Sequence, residues 1–203
     1  MINTLKKYFQ GQNIPFLLLQ VYMFVYFFQP AERYPFLQAF RLELLLTAIT
    51  ITAIFFYGIK IKFTKFDFII FLFFLVMLIS SIFSIWLSNS LQQIYQIFKL
   101  FMMYFFISTI ISNEWQLKQF TYFFLFLLFV ILWEPFFMGL QGQFAGMGEG
   151  GMRRAKGITD IASHPNTLGG IAATTLPFVF FLFRNHFKTH QKLFILFYLA
   201  MEL

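Results

Sequence analysis

Six apolar runs follow one another along this chain, at about residues 14–28, 42–59, 66–88, 92–112, 119–139 and 168–183, and a seventh opens near Leu193. A helix needs about 20 apolar residues to cross about 30 Å of hydrocarbon. The runs therefore predict an all-α fold: a polytopic transmembrane helix bundle of six full spans plus a truncated seventh, in one transmembrane domain over 1–203. The seventh run stops at Leu203 after about 11 residues. That ending predicts a fragment of a larger protein.

Composition agrees with lipid as the solvent. Of 203 residues 60% are hydrophobic, 35 are Phe and only 11% are charged, whereas soluble domains average about 25% charged residues. A net charge of +7 raises nucleic acid as a partner, but the charges sit between apolar runs rather than on one basic face. No nucleic acid is expected. With no cysteine the chain has neither disulfides nor thiolate chemistry.

Positive charge orients the bundle. Cytoplasmic loops gather Lys and Arg, and a cytoplasmic N-terminus with Lys6 and Lys7 places Lys60, Lys62 and Lys65, then Lys118, then Arg184, Lys188 and Lys192 on the same side. No small-residue cleavage site follows the first run, which is read as a retained helix. The segment Gln29 to Phe40, a short turn near Ser88 to Ser90 and the loop 140–166 then lie outside. That last loop carries Arg153, Arg154 and Lys156 where positive charge is normally sparse, and six of the chain's 11 glycines.

The loop runs into the sixth apolar segment through Ser163-His164-Pro165-Asn166. Proline suits the first turn of a helix, and Ser163, His164 or Asn166 is a candidate cap. Unpaired N–H groups at a helix start favour phosphate. Arg153 and Arg154 can each grip phosphate oxygens in pairs, and Asp160 can orient one of them. A solvated basic loop near headgroups is the competing reading.

The stretch Arg154-Ala-Lys-Gly157 followed by His164-Pro-Asn-Thr-Leu-Gly169, with small residues and Pro177 in the next helix, resembles the bacterial O-antigen ligases and O-antigen (Wzy-type) polysaccharide polymerases. Arg153 with Gly169, and Arg154 with Gly170, also fit an arginine and a glycine separated by fifteen residues. Arg41 and Glu43 at the second run and Ser80, Ser81 and Ser84 late in the third agree more weakly. The likeness covers most of this chain but about half of such proteins, whose second external loop lies further on.

The resemblance implies metal-independent glycosyl transfer at the outer face of the bacterial cytoplasmic membrane. An undecaprenyl-pyrophosphate-linked glycan passes to an acceptor glycan or lipid A core, without cofactor or metal, and ligase and polymerase are not distinguished. Arg154 and His164 are the candidate catalytic residues, His164 as base or as loop-orienting group. Arg153, Arg154, Lys156, Asn166, Arg41 and Lys99 are the candidate substrate contacts. Two other classes stand beside this one: a transporter or flippase-like protein, and an inactive truncated fragment.

Ionisable groups inside spans are functional candidates by default. Lys99 and Glu134 are both expected near the outer boundary, where they can pair and, with Arg41 and Glu43, line a path for lipid-linked substrate. Alternatively Lys99 snorkels outward and Glu134 caps a helix closed by Pro135. Trp86, Trp115 and Trp133 read as interface anchors, and Thr174 and Thr175 as relief for a helix kinked at Pro177.

Overall fold

The computed structural model describes residues 14–61, 63–142, 145–147, 153–154 and 165–184. They form α1 (Ile14–Phe28), α2 (Pro30–Arg33), a 3-10 helix (Pro35–Phe40), α3 (Leu42–Phe56), α4 (Lys65–Ile82), α5 (Leu87–Ile110) and α6 (Glu114–Leu140). A short antiparallel ribbon of β1 (Ala145–Met147) and β2 (Arg153–Arg154) follows, then α7 (Pro165–Arg184). The helical class is as expected. Among the described residues, α4, α5 and α6 are long and apolar enough to cross a membrane.

Lipid is the natural surrounding for α4 in particular. None of its residues is buried, although its sequence is nearly all Phe, Ile, Leu, Val and Met. An apolar surface of that extent is poorly matched to water. Its start is fixed by a capping box, in which the Thr64 N–H donates to Asp67 Oδ2 at 2.6 Å and the Asp67 N–H donates to Thr64 Oγ1 at 3.3 Å. This arrangement satisfies orphan donors at the helix entry.

Several boundaries differ from the hydropathy reading. α5 starts at Leu87, not near 92, so Ser88 to Ser90 lie in its first turn and the chain reverses over 83–86. The polar start of this helix hides it from an apolar scan: Ser90 donates to Ser84 Oγ at 2.8 Å and the Trp86 N–H to the same atom at 3.2 Å. α6 starts at Glu114 because Asn113 Oδ1 accepts the Gln116 N–H at 2.8 Å, while Gln116 Oε1 accepts the Ser112 N–H at 2.9 Å. It also runs straight through Pro135, so Glu134 does not cap a helix end.

α1 and α3 have 15 residues each in the structure, or about 22 Å at 1.5 Å per residue, short of the hydrocarbon thickness. Both ends of α3 are firm. Arg41 enters it in the left-handed region with φ 42°. Gly58 leaves it with φ 61°, the Gly58 N–H reaching the Phe55 carbonyl and the Ile59 N–H that of Ile54, both at 3.1 Å. That pair of bonds is a Schellman closure, which needs a positive φ that glycine adopts without strain.

The helices group into two compact units: residues up to Met23 with Phe40–Lys118, and Phe24–Ala39 with the chain from Gln119 onward. In the first unit α4 and α5 form a hairpin seamed by aromatic rings, Phe74 stacking on Phe101 at 5.2 Å. Tyr22 of α1, 1% exposed, meets Phe106 edge-on at 5.3 Å. In the second unit Leu125, Leu128, Ile131 and Leu132 of α6 form a core with Leu168 of α7, and Phe27, Phe124, Ile171 and Ala172 pack around it.

Candidate functional site

The first polar site belongs to the first unit. Lys99 Nζ lies 2.8 Å from Glu43 Oε2, and the residue is only 8% exposed. It stands 12 residues after Leu87 and 11 before Ile110, hence about 17 Å from either end of α5. The sequence reading placed it near the outer boundary; the earlier start of α5 puts it at the helix midpoint instead. There a lone charge would be costly, and pairing with a carboxylate offsets much of that cost.

The surroundings hold this pair in place. The Lys99 ammonium sits 5.1 Å from the Tyr95 ring centroid, one turn earlier on the same helix. Tyr22 donates its hydroxyl to the Lys99 carbonyl at 3.2 Å. Glu43 is in the first turn of α3, where a carboxylate is favoured by the helix dipole. Arg41 is exposed and lies, with Glu43, within electrostatic reach of the Tyr95 hydroxyl.

These contacts also fix where α3 runs. Its first turn meets the midpoint of α5, whereas Asp67, in the first turn of α4, accepts a bond from Tyr104 of α5 at 2.7 Å. Only residues 57–64 connect α3 to α4, and Ile61 and Phe63 of that connection border a cleft with Tyr104, Phe105, Ser108 and Thr109. α3 therefore lies along the C-terminal half of α5. It begins at the depth of a buried ion pair, not at the bundle surface.

The second polar site belongs to the second unit. Arg33 of α2 binds Glu134 Oε2 through Nη2. Its Nε donates to the Phe28 carbonyl at 3.1 Å, and its guanidinium lies 4.5 Å from the centre of the Phe28 ring. Glu134 is six residues from the end of α6, about 9 Å along the axis, as the sequence had placed it. Its partner is Arg33, and the expected Lys99–Glu134 pair is replaced by two pairs, one in each unit.

Of the other predicted site residues, Arg153 and Arg154 form β2, their backbones opposite Met147 and Ala145, with an irregularity between the two pairings. Asn166 is exposed and is the second residue of α7. Because Pro165 is the first, Asn166 lies inside the first turn and does not occupy the cap position. Lys156, His164, Ser163 and Asp160 lie outside the described residues, as do the N-terminal lysines and the run near Leu193. Thr174 donates to the Gly170 and Ile171 carbonyls and Thr175 to that of Ala172, close to Pro177.

Sequence reasoning missed Arg33 and the Asp67–Tyr104 bond. Arg33 was visible only as one charge in a polar connection, though a cation placed just outside a span is a natural partner for a carboxylate about two turns inside one. In comparisons with known proteins the chain matches no family model, no curated protein and no solved structure.

Proposed function

We propose that this chain works at the outer face of a bacterial cytoplasmic membrane on an undecaprenyl-pyrophosphate-linked glycan, in the manner of O-antigen ligases and polysaccharide polymerases. The observation that carries the reading is the placing of two consecutive arginines on a paired strand shortly before a helix that opens on proline and belongs to the same unit. Arginine pairs and a helix start are both suited to a pyrophosphate. In the transfer the acceptor hydroxyl oxygen bonds to the anomeric carbon, the bond from that carbon to the pyrophosphate oxygen breaks, the lipid pyrophosphate leaves with the electron pair, and the acceptor's proton passes to water.

Arg154 and Arg153 stabilise charge growing on the leaving group, Lys156 and Asn166 add contacts, and His164 orients the loop. Arg41 is an exposed cation at the depth of the Glu43–Lys99 pair, and Lys99 acts by holding Glu43. The test is Arg154→Ala, in cells that depend on the protein for polymer or ligated glycan. Loss of transfer with normal membrane insertion is expected; unimpaired transfer would sink the assignment.

A second reading, a transporter or flippase-like protein, is favoured by one observation: the Glu43–Lys99 pair at the midpoint of α5, reached by a helix too short to span. Transporters place interrupted helices and charges at that depth. Proteoliposomes that move a fluorescent polyprenyl pyrophosphate between leaflets, and stop doing so in Glu43→Gln, would favour it over transfer.

A further inference from the structure

The cleft at the open end of the α4–α5 hairpin plays no part in either polar site. It lies within the first unit, between the start of α4 with the connection before it and the C-terminal half of α5, and encloses about 300 Å³, its open mouth included. That is the small end of the range for ligand sites, about 300–1,000 Å³. It has room for a headgroup but not for a whole lipid. α4 has 18 residues, or about 27 Å at 1.5 Å per residue, close to the thickness of the hydrocarbon. Asp67, its third residue, therefore stands at the edge of the bilayer, level with the headgroups, whichever face that is.

The polar lining is arranged to accept hydrogen bonds. Asp67 Oδ2 takes the N–H and the hydroxyl of Thr64, both at 2.6 Å, and Oδ1 takes the Tyr104 hydroxyl at 2.7 Å. A carboxylate has about four acceptor positions, so one stays open. Tyr104 has given its proton to Asp67 and Ser108 has given its own to the Phe105 carbonyl at 3.1 Å, which leaves both hydroxyl oxygens as acceptors; Thr109 serves either way. The charge of Asp67 is unpaired: among the described residues the ion pairs are those of Glu43 and Glu134, and Lys60 and Lys65 are exposed. Phe63, Phe101 and Phe105 supply aromatic walls, whose faces attract a cation. A divalent metal needs six or more oxygens, which one carboxylate among phenyl rings does not offer.

We propose that this cleft binds the ethanolamine headgroup of a membrane phospholipid, its ammonium donating to Asp67 and Tyr104 and lying against the phenyl rings. A primary ammonium supplies what the lining lacks, a positive charge and three N–H donors. The depth of the cleft selects a lipid as its source. α4 has no buried residue, so the acyl chains of a lipid seated there have an apolar surface to follow inward from Asp67. The site stands apart from the arginine loop and does not rest on the glycan-transfer reading.

The test is native mass spectrometry of the full chain given equal amounts of dioleoyl phosphatidylethanolamine, phosphatidylcholine and phosphatidylglycerol. The ethanolamine lipid is expected to be retained roughly tenfold over the other two, the scale of one hydrogen bond to a charged group, because choline has no N–H and glycerol no positive charge. Asp67→Asn, which keeps a side-chain oxygen for the Thr64 N–H, is expected to bring that ratio to about one. Tyr104→Phe, which removes one acceptor and leaves the charge, is expected to lower it several-fold and decides the matter where the asparagine variant fails to fold. Equal retention of the three lipids by the wild-type protein, or a preference that either folded variant keeps in full, overturns the proposal. Displacement of the bound lipid by free ethanolamine at the same concentration would show a site for a soluble amine and overturn the lipid as its occupant.

Discussion

Lys99 carries its charge at the midpoint of α5, and its pairing with Glu43 dominates what substitution there does. Removing one partner strands the other in an apolar setting, whereas removing both leaves no charge to solvate. Lys99→Met alone is expected to destabilise the protein by about 3 kcal/mol, and Glu43→Leu with Lys99→Met together to recover most of that loss. Reversible unfolding in bicelles measures both; a double variant as unstable as the single one would show that the pair is not the relevant unit. The sequence revealed that Lys99 and Glu43 are costly residues but misassigned the partner. An error of five residues at the start of α5 was enough to move Lys99 from the midpoint to the boundary and to make Glu134 look close.

Helix ends account for most differences between the hydropathy reading and the observed elements. The apolar runs were legible because Phe, Ile and Leu dominate them. The ends were not, because they depend on polar groups such as Ser84, Asn113 and Gln116 that a hydropathy scan scores as loop. Gly58 is a clear case, since its surroundings leave room for a methyl group and only its φ of 61° resists one. Gly58→Ala is therefore expected to cost about 1 kcal/mol, the usual penalty of a left-handed alanine. Gly170→Ala, inside α7 and equally unobstructed, is expected to stabilise by about 0.5–1 kcal/mol through helix propensity and reduced freedom of the unfolded chain. Equal responses at the two glycines would contradict the closure described for α3.

At the scale of the whole molecule, the side on which the arginine loop lies does not depend on how α1 and α3 are counted. Between Ile61 and Ala155 the chain passes through α4, α5 and α6, the three helices among the described residues with the length and composition to cross a membrane. An odd number of crossings puts these two positions on opposite faces. We propose that Lys60, Lys62 and Lys65 beside Ile61 set the cytoplasmic face for that end, which would leave Ala155, between Arg154 and Lys156, outside. The natural chain has no cysteine, so single cysteines report without background. Ala155→Cys is expected to react with an impermeant maleimide on intact cells whose outer barrier is opened, and Ile61→Cys only after the cytoplasmic membrane is permeabilised. Labelling of both from the same face would mean that one of the three helices does not cross, and the first candidate would be α5, whose buried lysine makes it the costliest to place in lipid. Labelling of Ile61→Cys alone from outside would instead keep the three crossings and reverse the molecule, placing Arg153 and Arg154 on the face where an outward-facing glycan cannot meet them.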